Sequence, residues 1–362
     1  MYKTLITRLG GVVNNNSLPK LGELKIKFTK GTKSGNRNIT LMFSQKTEIK
    51  ISGDSAFSSG DKTKTLNADQ QAQLIFSNMN EMEISFPKYN LKYFAINITD
   101  GGTAKFDIGD LKYSKLLGTI NLSNTEVYGD ISSISGLVNL TAFRVANTKV
   151  YGDLAAVSNL LKLRVIEVSN SNVSGNLSAI SNLSELAYVY MQKSRITGNL
   201  SAISNLSNLE RFEATNLDLV ADVSALTNLS ELLYLYVDKL KGNINTINNL
   251  QHFRVLVSTS AELTGDLALL PSSMYRIELT NATKSSFSWS DRPSSAKILS
   301  INGHMVLSDI DKMLIDNANC GVPTTGDNNI KNFFIKGRRT SASDSAVQTL
   351  QSKGYSVWIV ES

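Results

Sequence analysis

The 362-residue chain has few of the residues around which compact reactive sites are built: one cysteine, two histidines and five prolines. Cys320 has no second cysteine to pair with, so the fold contains no internal disulfide and is compatible with assembly in a reducing cytoplasm. Zinc ligands at the usual Cys/His spacing are absent. We therefore expect no metal site and no cofactor.

Long apolar runs are also missing. The longest span only a few residues, far short of the roughly 20 that a membrane-spanning helix requires, so we expect no membrane insertion. Met1 to Val13 only partly resembles a secretion signal, because Thr7 and Arg8 interrupt its apolar stretch. We interpret residues 1–22 as an N-terminal arm, an anchoring segment or a first strand.

Positive charge is confined to one end of the chain. Residues 1–112 hold 16 Lys+Arg against 10 Asp+Glu, whereas residues 113–362 hold 21 of each. A nucleic-acid site would need a basic stripe with interleaved aromatic residues. The lysines instead alternate with apolar residues, as in 24–28, which is typical of a solvated sheet face. We expect no nucleic-acid partner.

The middle of the chain repeats itself, and this repetition predicts the fold. A step of glycine followed by Asp or Asn occurs seven times, once with alanine for glycine, at intervals of 23, 23, 23, 23, 21 and 23 residues. Glycine accepts a positive φ and Asp or Asn bonds its own backbone, so each step is predicted to be a turn. The steps begin at Gly129, Gly152, Gly175, Gly198, Ala221, Gly242 and Gly265.

Apolar residues recur in one order around each step. In one unit they are Leu140, Phe143, Val145, Val150 and Leu154, and in the next Leu163, Ile166, Val168, Val173 and Leu177. The alternation around Phe143 predicts a short strand with one buried face, and the linker 155–160 is predicted to return along the convex side as a 3₁₀ turn or short helix. No unit can bury its own face, so the units must stack.

This pattern resembles the leucine-rich repeat, Leu-x-x-Leu-x-Leu-x-x-Asn-x-Leu-x-Gly-x-Leu. The chain departs from it at the asparagine position, where hydroxyls can replace part of the usual asparagine ladder but Leu217 and Ala261 cannot. That position holds Thr125, Thr148, Ser171, Ser194, Leu217 and Ala261. The resemblance covers residues 113–290 and implies a leucine-rich-repeat-like solenoid, a parallel β-sheet horseshoe of 23-residue repeats.

Residues 23–112 do not show the repeat and are predicted to form an antiparallel β-rich N-terminal domain that covers the first repeat. Alternating apolar segments indicate its strands, and residues 67–76 are compatible with one or two helical turns. The alternating segments are 24–28, 39–43, 82–86 and 94–98.

Residues 291–362 are predicted to form an α/β C-terminal cap of the repeat array, since a solenoid must end in a unit whose outer face tolerates water. One helix is predicted over 308–316, capped by Ser308, and a second over 343–353. Strands are predicted around Ile330 to Ile335 and over Tyr355 to Val360.

Three segments, 18–24, 308–316 and 337–354, resemble one group within this family: the leucine-rich-repeat proteins encoded by tailed bacteriophages and prophages of Bacteroides-type gut bacteria. The resemblance implies a virion component assembled in the bacterial cytoplasm, associated with the tail or host contact. Its partners would be other virion proteins, or a glycan or protein of the host surface, and it would be a homo-oligomer. A capsid decoration protein and a bacterial surface or secreted adhesin are the alternatives.

Catalytic groups are not evident. His252 and His304 fall in different units without a cysteine cluster or patterned carboxylates beside them, so we predict no catalytic residue and no enzyme; a cluster in three dimensions would be the signature of one. Asp130, Asp153 and Asp266 recur at the repeat spacing, but asparagine replaces them elsewhere and calcium needs about six oxygen ligands. We interpret them as turn residues.

Surface recognition is the remaining function. Residues between the buried ones of each strand should face the concave side, where four tyrosines and an arginine from nearby strands meet. Tyrosine and arginine dominate binding hot spots, although tyrosine also simply favours strands. The candidate binding residues are Tyr188, Tyr190, Arg211, Tyr234, Tyr236 and Arg144.

Overall fold

The computed structural model describes residues 23–32, 35–52, 62–77, 81–99, 101–297, 299–322 and 331–360. The predicted N-terminal arm, 1–22, lies outside them. The described residues form a solenoid of parallel strands, with a two-sheet β unit at its amino end and an α/β unit at its carboxyl end. The predicted fold class is confirmed.

One strand of each repeat joins a continuous parallel ladder, which we call the concave ladder. Its buried residues, such as Phe143 and Val145, alternate with half-buried ones, as the sequence predicts. Its strands are β9 (Thr119–Asn121), β11 (Ala142–Arg144), β13 (Val165–Glu167), β15 (Tyr188–Tyr190), β17 (Arg211–Ala214), β19 (Tyr234–Val237), β21 (Val255–Thr259), β23 (Arg276–Thr280), β25 (Ser300–Leu307), β26 (Asn332–Lys336) and β27 (Ser356–Val360).

A second, outer ladder of short parallel strands runs along the other edge of the repeats. It is interrupted once, between β18 and β20, where a single bridge joins Asp222 to Lys241. Its strands are β10 (Tyr128–Asp130), β12 (Lys149–Asp153), β14 (Asn172–Asn176), β16 (Arg195–Asn199), β18 (Asp218–Val220), β20 (Lys241–Asn243), β22 (Glu262–Asp266) and β24 (Ser286–Ser288).

The predicted turn at each Gly-Asp/Asn step needs a correction. The glycine has the expected positive φ, from +107° to +126°, but it lies in a strand of the outer ladder. The Asp or Asn that follows caps a 3₁₀ helix: Asp130 Oδ1 accepts the N–H of Ser132 at 2.7 Å. The 3₁₀ helices of the described residues, of which the first and the last do not follow a glycine step, are Ile108–Tyr113, Ile131–Ile134, Leu154–Val157, Leu177–Ile180, Leu200–Ile203, Val223–Leu226, Ile244–Ile247, Leu267–Leu269 and, in the cap, Ser341–Ser343.

The N-terminal unit is a sandwich of two antiparallel sheets, ordered β4-β3-β6-β1-β8 and β5-β2-β7. Its strands are β1 (Glu23–Phe28), β2 (Asn36–Phe43), β3 (Thr47–Ser52), β4 (Lys62–Leu66), β5 (Ala72–Ser77), β6 (Met82–Pro87), β7 (Leu91–Ile98) and β8 (Ala104–Lys105). The helical turns predicted at 67–76 are wrong, because β5 lies there and buries Leu74 and Phe76 in the sandwich core.

Both sheets of the sandwich continue into the solenoid. Strand β7 pairs in parallel with β9, so the second sheet is the start of the concave ladder. The segment after β8 bridges in parallel from Asp107 to Tyr128, so the first sheet leads into the outer ladder. The buried apolar residues of sandwich and repeats consequently form one core.

Two α-helices complete the C-terminal unit. Helix α1 (Ile310–Asn319) is capped by Asp309, whose Oδ1 accepts the N–H of Lys312 at 3.0 Å, so the predicted cap at Ser308 is wrong by one residue. Helix α2 (Asp344–Ser352) contacts α1 and β27 and is followed by Gly354 at φ +83°. Ile330, assigned to a predicted strand, lies outside the described residues.

Candidate functional site

The concave ladder arranges its half-buried side chains in two rows. The strand register aligns Val165, Tyr188, Arg211 and Tyr234 in one row. The second row, two residues further along each strand, is Arg144, Glu167, Tyr190, Glu213 and Tyr236. All six residues proposed from the sequence therefore lie on one face, across five adjacent strands, and their role in binding stays a prediction.

Arg211 is the centre of this face. Its guanidinium carbon lies 4.8 Å from the ring centroid of Tyr234, 5.3 Å from that of Tyr236 and 5.8 Å from that of Tyr190. Arginine near several aromatic faces gains cation–π attraction, on the order of 1 kcal/mol for each exposed contact. The rings and the guanidinium thus hold one another in place. We call Tyr188, Tyr190, Arg211, Tyr234 and Tyr236 the aromatic cluster.

Carboxylates hold the polar side of the cluster. Glu213 accepts hydrogen bonds from Arg211 and Gln192. Burial works against the charged Arg211 guanidinium, but the hydrogen bond and the nearby Glu213 charge raise its pKa overall. Burial raises the pKa of Tyr190 and Tyr236, so both phenols are neutral hydrogen-bond donors at physiological pH.

A shallow depression of about 330 Å³ lies beside the cluster. Val165 contributes its apolar floor, and Arg144 and Glu167 form an ion pair of 3.7 Å along its wall. Burial raises the pKa of the Glu167 carboxyl, while Arg144 lowers it. The hydroxyl of Tyr188 donates a 2.5 Å hydrogen bond to Glu210, which orients its ring at the rim. The depression therefore offers both a ring face and paired polar groups.

The charges of this face cancel within short distances. Three arginines each have a glutamate partner: Arg144 with Glu167, Arg211 with Glu213, and Arg276 with Glu278 at 2.5 Å. A surface built from such pairs has no net field to attract a polyanion or polycation. It suits a ligand that presents apolar faces and neutral hydrogen-bonding groups.

The glutamates were not among the residues proposed from the sequence, although the repeat register places them on the concave side. Their importance appears only when neighbouring strands are paired, because Arg144 meets Glu167 across 23 residues of chain. Composition alone gives no signal for such pairs. Strand alignment, with arginine and glutamate at equivalent repeat positions, is the signal that could have found them.

The other residues considered from the sequence do not lie together in a site within the described ranges. His252 is exposed in the turn before β21, and the side chain of His304 lies outside the described residues. The aspartates at the repeat spacing are helix caps, as with Asp130 and Asp153. Within the described ranges, no group of three or more His, Cys, Asp or Glu is placed to bind a metal ion. In the same ranges, no helix has the length and apolar character needed to cross a membrane.

No protein-family model and no curated protein matches the chain. Among solved structures it is similar to the ectodomain of the Arabidopsis thaliana receptor kinase GASSHO1/SCHENGEN3, solved in complex with CASPARIAN STRIP INTEGRITY FACTOR 2, at 16% identity and a TM-score of 0.51. The similarity covers 71% of this chain and 34% of that ectodomain, so this chain matches only about a third of its length. That structure is a leucine-rich-repeat ectodomain. This chain has the leucine-rich-repeat fold.

A bacterial structure is also similar, at a lower TM-score. Internalin C2 from Listeria monocytogenes is 21% identical, with 48% of this chain and 75% of that chain covered and a TM-score of 0.41. At such identities the likeness concerns the fold.

Proposed function

We propose that the protein is a non-enzymatic recognition protein of a tailed-phage virion, which uses its concave ladder to contact a protein or glycan of the host surface. The observation that supports binding is the aromatic cluster. Four tyrosines and one arginine, all half-buried, lie on adjacent strands; three of the rings contact Arg211, and the hydroxyl of Tyr188 donates to Glu210. Rigid aromatic groups contribute contact area at a low entropic cost.

The chemistry of the concave side defines the class of ligand. Aromatic faces stack on apolar surfaces, including the C–H faces of sugars, while the Arg–Glu pairs offer donors and acceptors without net charge. Neutral polar ligands fit this description: an uncharged glycan, or a protein loop with apolar and amide groups. The virion assignment rests on the sequence resemblance of 18–24, 308–316 and 337–354.

The binding surface is tested with a double substitution, Tyr190→Ala with Tyr236→Ala. Both rings contact Arg211, so their loss removes the centre of the cluster. A hot-spot residue typically contributes about 2 kcal/mol, so the loss of both, about 4 kcal/mol, should weaken binding of the labelled protein to host cells by roughly 1,000-fold.

A matched control is Tyr128→Ala with Tyr151→Ala. These tyrosines are 39% and 51% exposed on the outer ladder, so the same chemistry is removed from another face. Circular dichroism should show all variants folded. Equal binding by the folded Tyr190/Tyr236 variant and the wild type would exclude the aromatic cluster as the contact surface.

The virion assignment has its own test. Purified phage particles of the source genome should contain the chain by mass spectrometry, and antibodies against it should label the tail in electron micrographs. Labelling over the whole head would favour capsid decoration. Presence in the bacterial envelope but not in particles would favour the surface adhesin.

A further inference from the structure

In the part of the chain that the structure describes, strand β27 of the concave ladder has an open edge. Ser356 donates its N–H to the carbonyl of Lys331, and the carbonyl of Val360 accepts from Gly337, both at 2.9 Å. Residues 356, 358 and 360 therefore direct their backbone groups toward β26, and Val357 and Ile359 direct theirs away from it. Within the described part of the chain, no strand pairs with that second edge.

The side chains of β27 at this edge are apolar apart from Ser356, whereas the neighbouring groove is lined mainly by polar residues, including Arg339, Asp344 and Gln351. Trp358 is 64% exposed and Val360 is 46% exposed. On the opposite face, Val357 and Ile359 are only partly covered by the core. They line a groove of about 600 Å³ that continues onto Val347 of α2. The end of the sheet thus presents unpaired backbone groups and apolar surface together.

Strand β27 also lacks the features that usually protect a sheet edge. Edge strands avoid association through charged residues, especially lysine, or through proline. The edge strand β4 of the sandwich follows this rule, with an exposed lysine at 64. The sequence of β27, Ser-Val-Trp-Ile-Val, contains neither a charge nor a proline.

We propose that β27 pairs antiparallel with β27 of a second copy of this chain, across a twofold axis beside Trp358. Across this axis, Val357 of each copy lies opposite Ile359 of the other, which gives two equivalent pairs. These are the residues whose backbone groups are directed away from β26. The pairs would exchange about four hydrogen bonds. Trp358 of one copy lies opposite Trp358 of the second copy in a non-hydrogen-bonded pair, where side chains approach most closely.

The strand pattern favours a second copy over an unrelated strand. Rotation about Trp358 places apolar Val357 opposite apolar Ile359 on the core face, so one five-residue segment complements itself. The same rotation brings the two α2 helices together behind the sheet and covers the two grooves along Val347. Pairing of β27 with β5, the edge strand at the other end of the sheet, would instead extend into an open filament.

The association is tested by sedimentation velocity of the 362-residue protein at micromolar concentration. We expect a species of twice the 39.5 kDa chain mass. Trp358→Arg places two like charges face to face beside the axis, and we expect it to weaken dimerisation at least 100-fold without unfolding, because the side chain is exposed. Ile75→Arg is the matched control, since Ile75 is 57% exposed on β5, and it should leave the dimer unchanged.

A cysteine substitution tests the axis itself. In the proposed pair the Cα atoms at position 358 lie about 4.5 Å apart, within the range that a disulfide spans. Trp358→Cys should therefore give a covalent dimer under mild oxidation, and Ile75→Cys should not. A monomer at all concentrations, a filament series, or a dimer that Trp358→Arg leaves intact would overturn the proposal.

Discussion

The two ladders of the solenoid respond differently to the same irregularity. Where the repeat shortens to 21 residues, the concave ladder continues without a break, and Tyr234 pairs with Val255 as Arg211 pairs with Tyr234. The outer ladder is interrupted nearby, at the one step where Ala221 replaces glycine. The concave ladder depends on apolar alternation, which many residues satisfy, whereas the regular steps of the outer ladder carry glycine.

Glycine is favoured at the regular steps of the outer ladder because the repeats stack closely there. A Cβ built on Gly175 would lie 2.5 Å from Asp153 Oδ1 and 3.0 Å from the Leu154 nitrogen, and the residue has φ +112°. The carboxylate that caps one 3₁₀ helix thus fills the space beside the next glycine. Ala221 is not among the residues with positive φ, so the chain between β18 and the bridge at Asp222 departs from the regular path.

The largest expected effect comes from Gly175→Ala, which introduces into a regular repeat the residue found at the break. Both the left-handed backbone and the contact with Asp153 disfavour a Cβ, so we expect a loss of about 3 kcal/mol in the free energy of unfolding. Urea denaturation measures it. Gly118→Ala is the control, because its Cβ would meet nothing closer than 3.7 Å; equal losses would refute the stacking explanation.

A smaller effect is expected from Thr148→Val in the turn that joins the two ladders. The Thr148 hydroxyl donates to the Val145 carbonyl at 2.7 Å in a buried position, so valine leaves that carbonyl without this partner. We expect a loss of about 1–2 kcal/mol in unfolding free energy. Thr141→Val removes an exposed bond to Gly118 of 2.9 Å and should cost less than about 0.5 kcal/mol; the reverse order would contradict the role assigned to burial.

The smallest effect concerns the carboxyl end of the concave ladder at alkaline pH. Burial raises the pKa of Tyr355 to about 12, against about 10 in the unfolded chain. The contribution of the neutral Tyr355 phenol to the free energy of unfolding is therefore complete below pH 10 and is lost as the pH rises toward 12. By linkage, the free energy of unfolding of the C-terminal unit should be about 1 kcal/mol lower at pH 11 than at neutral pH.

Fluorescence reports on this region, because the two tryptophans, Trp289 and Trp358, both lie near the carboxyl end. In the wild type, the urea concentration at the midpoint of unfolding, followed by tryptophan fluorescence, should decrease as the pH is raised from 9 to 11. Tyr355→Phe has no phenol to ionise and should show a smaller decrease. An identical pH dependence in both proteins would show that Tyr355 does not cause it.

Much of the site could be predicted from the sequence because the repeat imposes a register. Tyr188, Arg211 and Tyr234 occupy equivalent positions 23 residues apart, and the strands align them as expected. The hydrogen-bond partners of these residues could not be predicted individually. Tyr188 donates to Glu210 and Arg211 donates to Glu213, and these pairings depend on side-chain conformations that the repeat does not specify.

The asparagine position shows the same limit. The hydroxyls of Thr125 and Thr148 do not form a ladder between repeats, but donate to carbonyls three residues earlier. An amide ladder does exist one residue before this position, where Asn147 donates to Asn124 at 2.8 Å. Both asparagines have positive φ, and this exposed turn conformation decides which side chains meet.

The sequence by itself determined the period, the buried face of each concave strand and hence the solenoid, because these depend on local apolar alternation and on stacking of identical units. The tertiary structure alone decided how the two end units join the repeats. Strand β7 pairs with β9, and among the described strands β27 pairs only with β26, because pairing between dissimilar segments depends on the whole packed core, which no periodic pattern encodes.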